Sequence, residues 1–267
     1  MYKRLAWEKN WLKSHGWSVE EILELENNDI KTPVEYLTNA AIFRNLTLKV
    51  NESTLIPRKE TEKIVDWAET WCRENQCFFD FDQKKSSYQV IEIGTGSGAI
   101  SLALAWQFKN IGFNKMRILA TEVSDKALII ARENCQKYNL EKMITFQKSN
   151  LLSMIKNILN NQNNPYILLA NLPYIPSDEV IKLNEEVKDY EPVLALDGGV
   201  DGFILIGKLL SQVEALKIKP ALIILEIDPS HEKMFVNNSY RWKIMKDENY
   251  YPRYAIGILK KINNLVV

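Results

Sequence analysis

Histidine and cysteine are scarce in this chain, with two of the former and three of the latter in 267 residues. His15 and His231 stand far apart, and Cys72, Cys77 and Cys135 make no ligand cluster with them, so no metal site is expected. So small and odd a set of cysteines also argues against a disulfide framework and fits a reducing compartment. Net charge is absent as well. Lys plus Arg number 34 and Asp plus Glu number 34, so no global field draws the protein to nucleic acid or to an anionic membrane. Apolar runs stay short of the roughly 20 residues of a membrane span. Met1 to Lys13 mixes Trp and Leu with charged residues and lacks the apolar core of a secretory signal. A cytoplasmic monomer, with no membrane contact and no stable nucleic-acid partner, is expected. Internal repeats and low-complexity tracts are missing too.

What is present is an ordinary apolar fraction, 46%, in a chain long enough for one large domain with a small appendage. Residues 1–31 form the appendage. Lys9 to Asn27 reads as one or two short helices, with Ser18, Glu20 and Glu21 resembling a helix start. The segment is too small for a sizeable core of its own, so it packs on the body or presents a surface to a partner. Residues 32–57 switch to β-branched and aromatic residues broken by Asn, which predicts a hairpin linker turning at Asn51-Glu52-Ser53. Residues 58–267 make the main domain. Its first helix follows Pro57, with Thr61 or the nearby acids serving its first turn and Ile64, Val65, Ala68, Trp71 and Cys72 on one face. Phe78 to Ser87 reads as a linker.

Beyond it strands and helices alternate. Strands are predicted at Val90–Ile93, Arg117–Val123, Ile144–Gln147, Tyr166–Ala170, Ala221–Ile227 and Ala255–Ile262, and helices at Ala99–Phe108, Asp125–Tyr138, Leu151–Leu159 and Asp201–Ala215. Near-continuous apolar strands in β-α-β order argue for an α/β fold with a mostly parallel sheet covered on both faces. The stretch from His231 to Arg253 has no long helix, which suggests a reversed edge strand.

Two loops carry chemistry. Glu92-Ile93-Gly94-Thr95-Gly96-Ser97-Gly98-Ala99 lies between a strand and a helix, and its alternate glycines let the backbone turn tightly and approach a ligand. The same loop satisfies a dinucleotide fingerprint, and Glu122 at the next strand end would bind ribose hydroxyls in either case. Glu92 tilts the choice toward S-adenosylmethionine, because an acid there pairs with an ammonium group and repels a pyrophosphate. The second loop is Asn171-Leu172-Pro173-Tyr174 after the fourth strand. It offers a carboxamide, a fixed dihedral and an aromatic face, a set able to grip a planar NH2 group, although taken alone it would also make an ordinary turn. With Asn150-Leu151, all four segments fall at strand carboxyl ends, where open parallel sheets bind ligands.

On these motifs the chain resembles the release-factor glutamine methyltransferases, which methylate a glutamine side-chain amide. Leu55-Ile56-Pro57-Arg58-Lys59-Glu60-Thr61-Glu62 resembles their Ile-Pro-Arg-Pro-Glu-Thr-Glu signature, Glu92 to Ile100 their cofactor loop and Asn171 to Tyr174 their Asn-Pro-Pro-Tyr motif. Tyr190-Glu191-Pro192 and the run from Ala195 through Gly198-Gly199 to Asp201-Gly202 resemble their Glu-Pro and Gly-Gly loop. The resemblance runs from about Pro33 onward. It implies a Rossmann-like class I methyltransferase sheet and S-adenosylmethionine as cofactor. By the same resemblance, Glu92, Gly94, Thr95, Gly96, Ser97, Gly98, Glu122, Asn150, Leu151 and Asn171 would hold the cofactor. Asn171, Leu172, Pro173 and Tyr174 would form the catalytic set, and with Arg58, Glu191 and Pro192 they would receive the substrate. The implied partner is a class I peptide chain release factor, methylated at its Gly-Gly-Gln glutamine.

Three positions depart from the family pattern: Leu172 for the first proline of the motif, Asn150 for the usual Asp, and Lys59 for a proline. The first keeps a backbone carbonyl and loses rigidity; the second keeps an acceptor and loses a charge. The N-terminal region is shorter than the family's helical domain. Rival readings are a ribosomal-protein glutamine methyltransferase, an adenine-N6 methyltransferase acting on DNA or RNA, and a silent cofactor-binding module.

Overall fold

The computed structural model describes residues 2–75, 88–113, 115–161, 165–236 and 239–260. Cys77, the linker at Phe78 to Ser87 and part of the polar loop around Asn163 lie outside them.

Two helices, α1 (Ala6–Ser14) and α2 (Val19–Asn27), open the chain. Ser18 caps α2 through its hydroxyl, and Glu21 reaches back to the Ser18 N–H at 2.7 Å, a reciprocal pair that fixes the helix start. Leu12, Ile22, Leu25 and Val34 bury themselves together beneath Trp11 and Trp17. The cluster is small and is completed by Val34 and Leu37 from beyond residue 31. Short helix α3 (Val34–Thr38) follows, taking Tyr36 and Leu37 out of the expected strand pattern.

The hairpin consists of β1 (Ala40–Phe43) and β2 (Leu46–Lys49) and turns at Arg44-Asn45, not at residues 51–53. Arg44 adopts a left-handed φ of 52° and its N–H donates to Glu62 Oε1 at 2.7 Å, a tertiary anchor that local sequence does not reveal. Asn51 instead makes a side-chain turn, its Oδ1 accepting the Ser53 N–H at 2.9 Å.

Helix α4 (Glu62–Glu74) buries Ile64, Val65, Ala68, Trp71 and Cys72, the predicted face. The main sheet has the order β5-β4-β3-β6-β7-β9-β8. Its parallel strands are β3 (Val90–Ile93), β4 (Ile118–Glu122), β5 (Ile144–Lys148), β6 (Ile167–Ala170) and β7 (Leu222–Glu226). Strands β8 (Tyr240–Lys246) and β9 (Pro252–Leu259) are both antiparallel. The reversed edge is thus a two-strand hairpin end, and its last strand starts three residues earlier than the apolar pattern suggested.

Alternation along the strands builds two cores. Val90, Ile118, Ile167, Leu169 and Ile224 face α4, α5 (Ala99–Asn110) and α6 (Asp125–Lys137). Ile91, Ile93, Leu168, Ala170 and Leu225 face the other layer, with α7 (Lys156–Asn160) and α10 (Ile204–Glu214). Short helices α8 (Ser177–Val180) and α9 (Glu185–Lys188) lie between β6 and α10. Helix α7 is shorter than the predicted 151–159 because Leu151 is left-handed, φ 52°, and Ser149 Oγ donates to its carbonyl at 2.7 Å. Among the described residues no helix is long and apolar enough to cross a membrane.

Candidate functional site

Strands β4 and β5 lie to one side of β3 and β6 and β7 to the other, so the strand order reverses beside β3 and a crevice opens at its carboxyl end. A cavity of about 550 Å³ occupies this place. Its walls come from the ends of β3 to β6, from Pro57, Arg58 and Thr61 before α4, and from Pro192, Leu194 and Ala195.

The glycine loop forms one wall. Gly94, Gly96 and Gly98 all have positive φ, at 73°, 55° and 88°. Gly94 and Thr95 donate their N–H groups to the Thr121 carbonyl, each at 2.9 Å, which ties the loop to the end of β4. A Cβ on Gly96 would meet nothing within 4 Å, whereas one on Gly94 would press on Leu172 Cδ2 at 3.0 Å and one on Gly98 on Leu102 Cδ1 at 2.8 Å. The loop is thus closely packed behind and open in front at Gly96. Asn134 of α6 braces it, donating to Ser97 O and to Lys49 O of the hairpin, both at 2.9 Å.

Two acids stand beside the loop. Glu122 accepts from Gly96 N at 3.0 Å, Val123 N at 2.8 Å and Ser124 N at 3.0 Å. Glu92 is buried yet lines the cavity, and its Oε2 takes the Thr95 hydroxyl at 2.7 Å and both the N–H and hydroxyl of Ser101. Burial pushes its carboxyl up to about 7, against those hydrogen bonds, which pull the other way. A cationic ligand in the cavity would favour its ionised form. Asn150 and Leu151 reach the same wall, Asn150 exposed and Leu151 buried. Open glycine backbone, an acid at the β4 end and a buried acid below form a cradle that fits a nucleoside carrying a positive charge.

The opposite wall is built from side chains. Asn171 donates from Nδ2 to Thr61 Oγ1 at 2.9 Å, and Thr61 in turn donates to Glu226 Oε2 at 2.7 Å. Tyr174 donates its hydroxyl to Glu226 Oε1 at 3.0 Å, and Arg253 Nη1 donates to the Tyr174 hydroxyl oxygen at 3.5 Å. Burial raises both the Glu226 carboxyl and the Tyr174 phenol. Asn171, Leu172 and Pro173 line the cavity. Tyr174 lies behind them, its ring packed against the core of the β6 and β7 layer.

Glu191 is buried and does not line the cavity; it accepts the Ile56 N–H at 3.3 Å and pairs with Arg58, which does. Pro192 reaches the cavity directly. The Gly-Gly loop acts as backing. Gly198 N donates to Ile175 O at 2.9 Å, and a Cβ there would sit 2.8 Å from both Pro173 O and Tyr174 Cα. A Cβ on Gly202 would lie 2.2 Å from Tyr174 O. Close backbone approach is what these glycines provide.

The sequence pattern places Thr61 at a helix start and singles out neither Glu226 nor Arg253. One signal was available for Glu226: an acid closing a wholly apolar strand, Ala221 to Ile227, is costly unless partnered. In the structure Thr61 makes no side-chain cap for α4; its hydroxyl serves Glu226.

No family model matches the chain. It is similar to the release factor glutamine methyltransferase of Gloeobacter violaceus, 33% identical over 197 residues, covering 73% of this chain and 61% of that protein. The protein of the same name from Moorella thermoacetica is 32% identical over 223 residues, with 84% and 71% covered. That from Koribacter versatilis is 31% identical over 231 residues, with 84% and 74% covered. The chain thus spans between 61% and 74% of the length of these three relatives. Among solved structures, the hMettl16 catalytic domain in complex with MAT2A 3′UTR hairpin 6 superposes with a TM-score of 0.59 at 15% identity, covering 83% of this chain and 78% of that one. A human methyltransferase 10 domain containing protein gives 0.52 at 18% identity, covering 80% and 88%. Likeness at such identity concerns the fold, which is that of the class I S-adenosylmethionine methyltransferases.

Proposed function

Because this chain belongs to the release factor glutamine methyltransferases, we propose that it methylates the side-chain amide nitrogen of a protein glutamine, that of the Gly-Gly-Gln motif in a class I peptide chain release factor. S-adenosylmethionine, when bound, supplies an electrophilic methyl group on a sulfonium centre. Gly94 to Gly98 and Glu122 would hold it, with Asn150 and Leu151 at its base and Glu92 offsetting its ammonium charge.

The observation that carries this reading is the polarity of Asn171. Its Nδ2 is committed to Thr61, so its Oδ1 is the end left for a ligand. An amide NH2 brings two donors and a nitrogen whose lone pair is delocalised into its own carbonyl. Asn171 Oδ1 would accept one N–H and the Leu172 backbone carbonyl the other, which holds the nitrogen toward the methyl donor and favours a pyramidal form. The same acceptors stabilise the positive charge that develops on nitrogen. Residues 171–174 include no His, Asp or Glu, consistent with a proton that leaves to water after transfer. Tyr174, anchored on Glu226, stiffens the loop in which Leu172 replaces a proline.

Residues 1–31 are assigned to substrate docking, 32–57 to a linking hairpin and 58–267 to the methyltransferase domain. Tyr2 hydrogen-bonds Glu186 and Lys31 pairs with Glu185, so the N-terminal segment sits against α9, close in sequence to the cavity-lining Pro192, Leu194 and Ala195.

The direct test is methyl transfer from labelled S-adenosylmethionine to a purified class I release factor, with its Gly-Gly-Gln glutamine replaced as control and a ribosomal-protein mixture and duplex DNA as competing acceptors. Label that requires that glutamine is expected. Label confined to ribosomal protein would change the substrate, and label confined to DNA would overturn the reading.

A further inference from the structure

The orientation of the Asn171 carboxamide has a cause outside the motif. We propose that Glu226, acting through Thr61, is a positioning residue that decides which end of Asn171 faces the acceptor. The inference rests on the reading above, in which Asn171 Oδ1 receives an amide N–H.

Glu226 closes β7 and is 2% exposed. Both its oxygens are used as acceptors, Oε2 by Thr61 at 2.7 Å and Oε1 by Tyr174 at 3.0 Å. Arg253 stands behind Tyr174 and is itself held by Asp247, with Nε to Oδ2 at 3.5 Å, so positive charge lies close to the buried carboxylate. A threonine hydroxyl has a single proton. Once that proton is given to Glu226, Thr61 Oγ1 can only accept, and Asn171 must offer it Nδ2. Rotating the carboxamide end for end would set Asn171 Oδ1 against Thr61 Oγ1, two acceptors in contact, and would present an NH2 to the substrate's NH2. A carboxylate that lines no part of the cavity therefore sets the chemical polarity of a group that does. Residues 61, 171 and 226 come from three separate segments, joined only by the folded sheet.

The same geometry would also arise if Glu226 were simply a buried pin for β7, and the two roles separate experimentally. In Glu226→Gln the new NH2 can donate to Thr61, whose freed proton then turns to Asn171 Oδ1 and inverts the relay. The expected result is a fall in kcat of about 100-fold, the scale of losing one preorganised polar group, with KM for S-adenosylmethionine changed by less than about threefold. Thr61→Val should fall alike, Thr61→Ser should recover most of that loss, and Thr61→Val combined with Glu226→Gln should be no worse than Thr61→Val alone. The second readout needs no substrate. The side-chain amide NMR signal of Asn171, identified by its loss in Asn171→Asp, should exchange slowly in the wild type and in Thr61→Ser, and rapidly in Thr61→Val and Glu226→Gln. Wild-type kcat in Glu226→Gln, or an Asn171 signal indifferent to both changes, would overturn the proposal. If Glu226→Gln does not fold, the Thr61 pair decides. If the wild type leaves release factors unmethylated, the proposed substrate fails while the NMR comparison still judges the relay.

Discussion

On the β3 and β4 side of the cleft the groups around the cavity are mostly backbone, the N–H groups and open face of a loop of alternate glycines held by Thr121 and Glu122. On the β6 and β7 side they are a relay of side chains, running from Asn171 through Thr61 to Glu226 and on to Tyr174. The first wall is specified locally, since its geometry follows from glycines within five consecutive residues. The second is specified by the fold, since Thr61 and Glu226 are 165 residues apart in the chain. A backbone wall tolerates a ligand common to many enzymes. A side-chain wall fixes donor and acceptor polarity, which is what the proposed methyl transfer to an amide nitrogen has to control.

The sharpest way to break this division is Asn171→Ala. If the side-chain wall serves the acceptor and the backbone wall the cofactor, methyl transfer should fall by about 10³-fold, while cofactor affinity by calorimetry stays within about threefold. Comparable turnover in the variant would remove Asn171 from the reaction. Parallel loss of both quantities would mean that the two walls form one site energetically.

A smaller effect tests the buried acid that underlies the backbone wall. Glu92 is fully buried and its carboxyl is raised from 4.5 to about 7, chiefly by desolvation. An acid whose folded pKa is raised binds its proton more tightly in the native state. Its contribution to stability is therefore complete below pH 4.5 and declines as pH rises through about 7. The decline amounts to about 3 kcal/mol at 1.36 kcal/mol per unit, taken as an order of magnitude. Glu92→Gln keeps an acceptor for Thr95 and Ser101 and cannot ionise. Urea unfolding at pH 4.5, 6 and 8 should show the wild type losing stability relative to the variant across that interval. A constant difference would show that Glu92 titrates normally, so that its negative charge is in place before a cationic ligand arrives.

How much of this was readable in the sequence follows the same division. The glycine loop, Glu122 and Asn171 lie at predicted strand ends, because strand periodicity and turn chemistry are local properties. The pairing of α4's start with the end of β7 is not local. Thr61 carries the sequence signature of a helix cap, and only the placement of α4 across the sheet turns its hydroxyl toward Glu226. The hairpin departs from its sequence pattern for a similar reason. Asn51-Glu52-Ser53 has turn composition and does turn, but the β1–β2 connection falls at Arg44-Asn45, where Glu62 and Asp66 from α4 hold Arg44. Tyr174, by sequence an aromatic face for a planar NH2 group, is drawn inward by a carboxylate 52 residues away.

Glycine substitution gives the finest comparison, since the same methyl group meets different surroundings on the two walls. At Gly198, behind the side-chain wall, a Cβ would lie 2.4 Å from Gly202 O and 2.8 Å from Pro173 O, both backbone atoms that cannot swing aside. Gly198→Ala should cost about 3 kcal/mol of stability, as overpacking does, and should lower kcat by displacing Pro173 and Tyr174. At Gly96 the φ is 55° and no heavy atom lies within 4 Å of the added carbon. Gly96→Ala should therefore cost only the left-handed backbone penalty, about 1 to 2 kcal/mol. Its methyl group would project from the open face of the loop, where the cofactor is proposed to lie, so cofactor affinity should fall by about tenfold with kcat at saturation nearly unchanged. Thermal unfolding and calorimetry on the two variants separate the outcomes. If Gly96→Ala instead lowers kcat and spares affinity, the glycine loop governs the acceptor, and the assignment of the two walls must be exchanged.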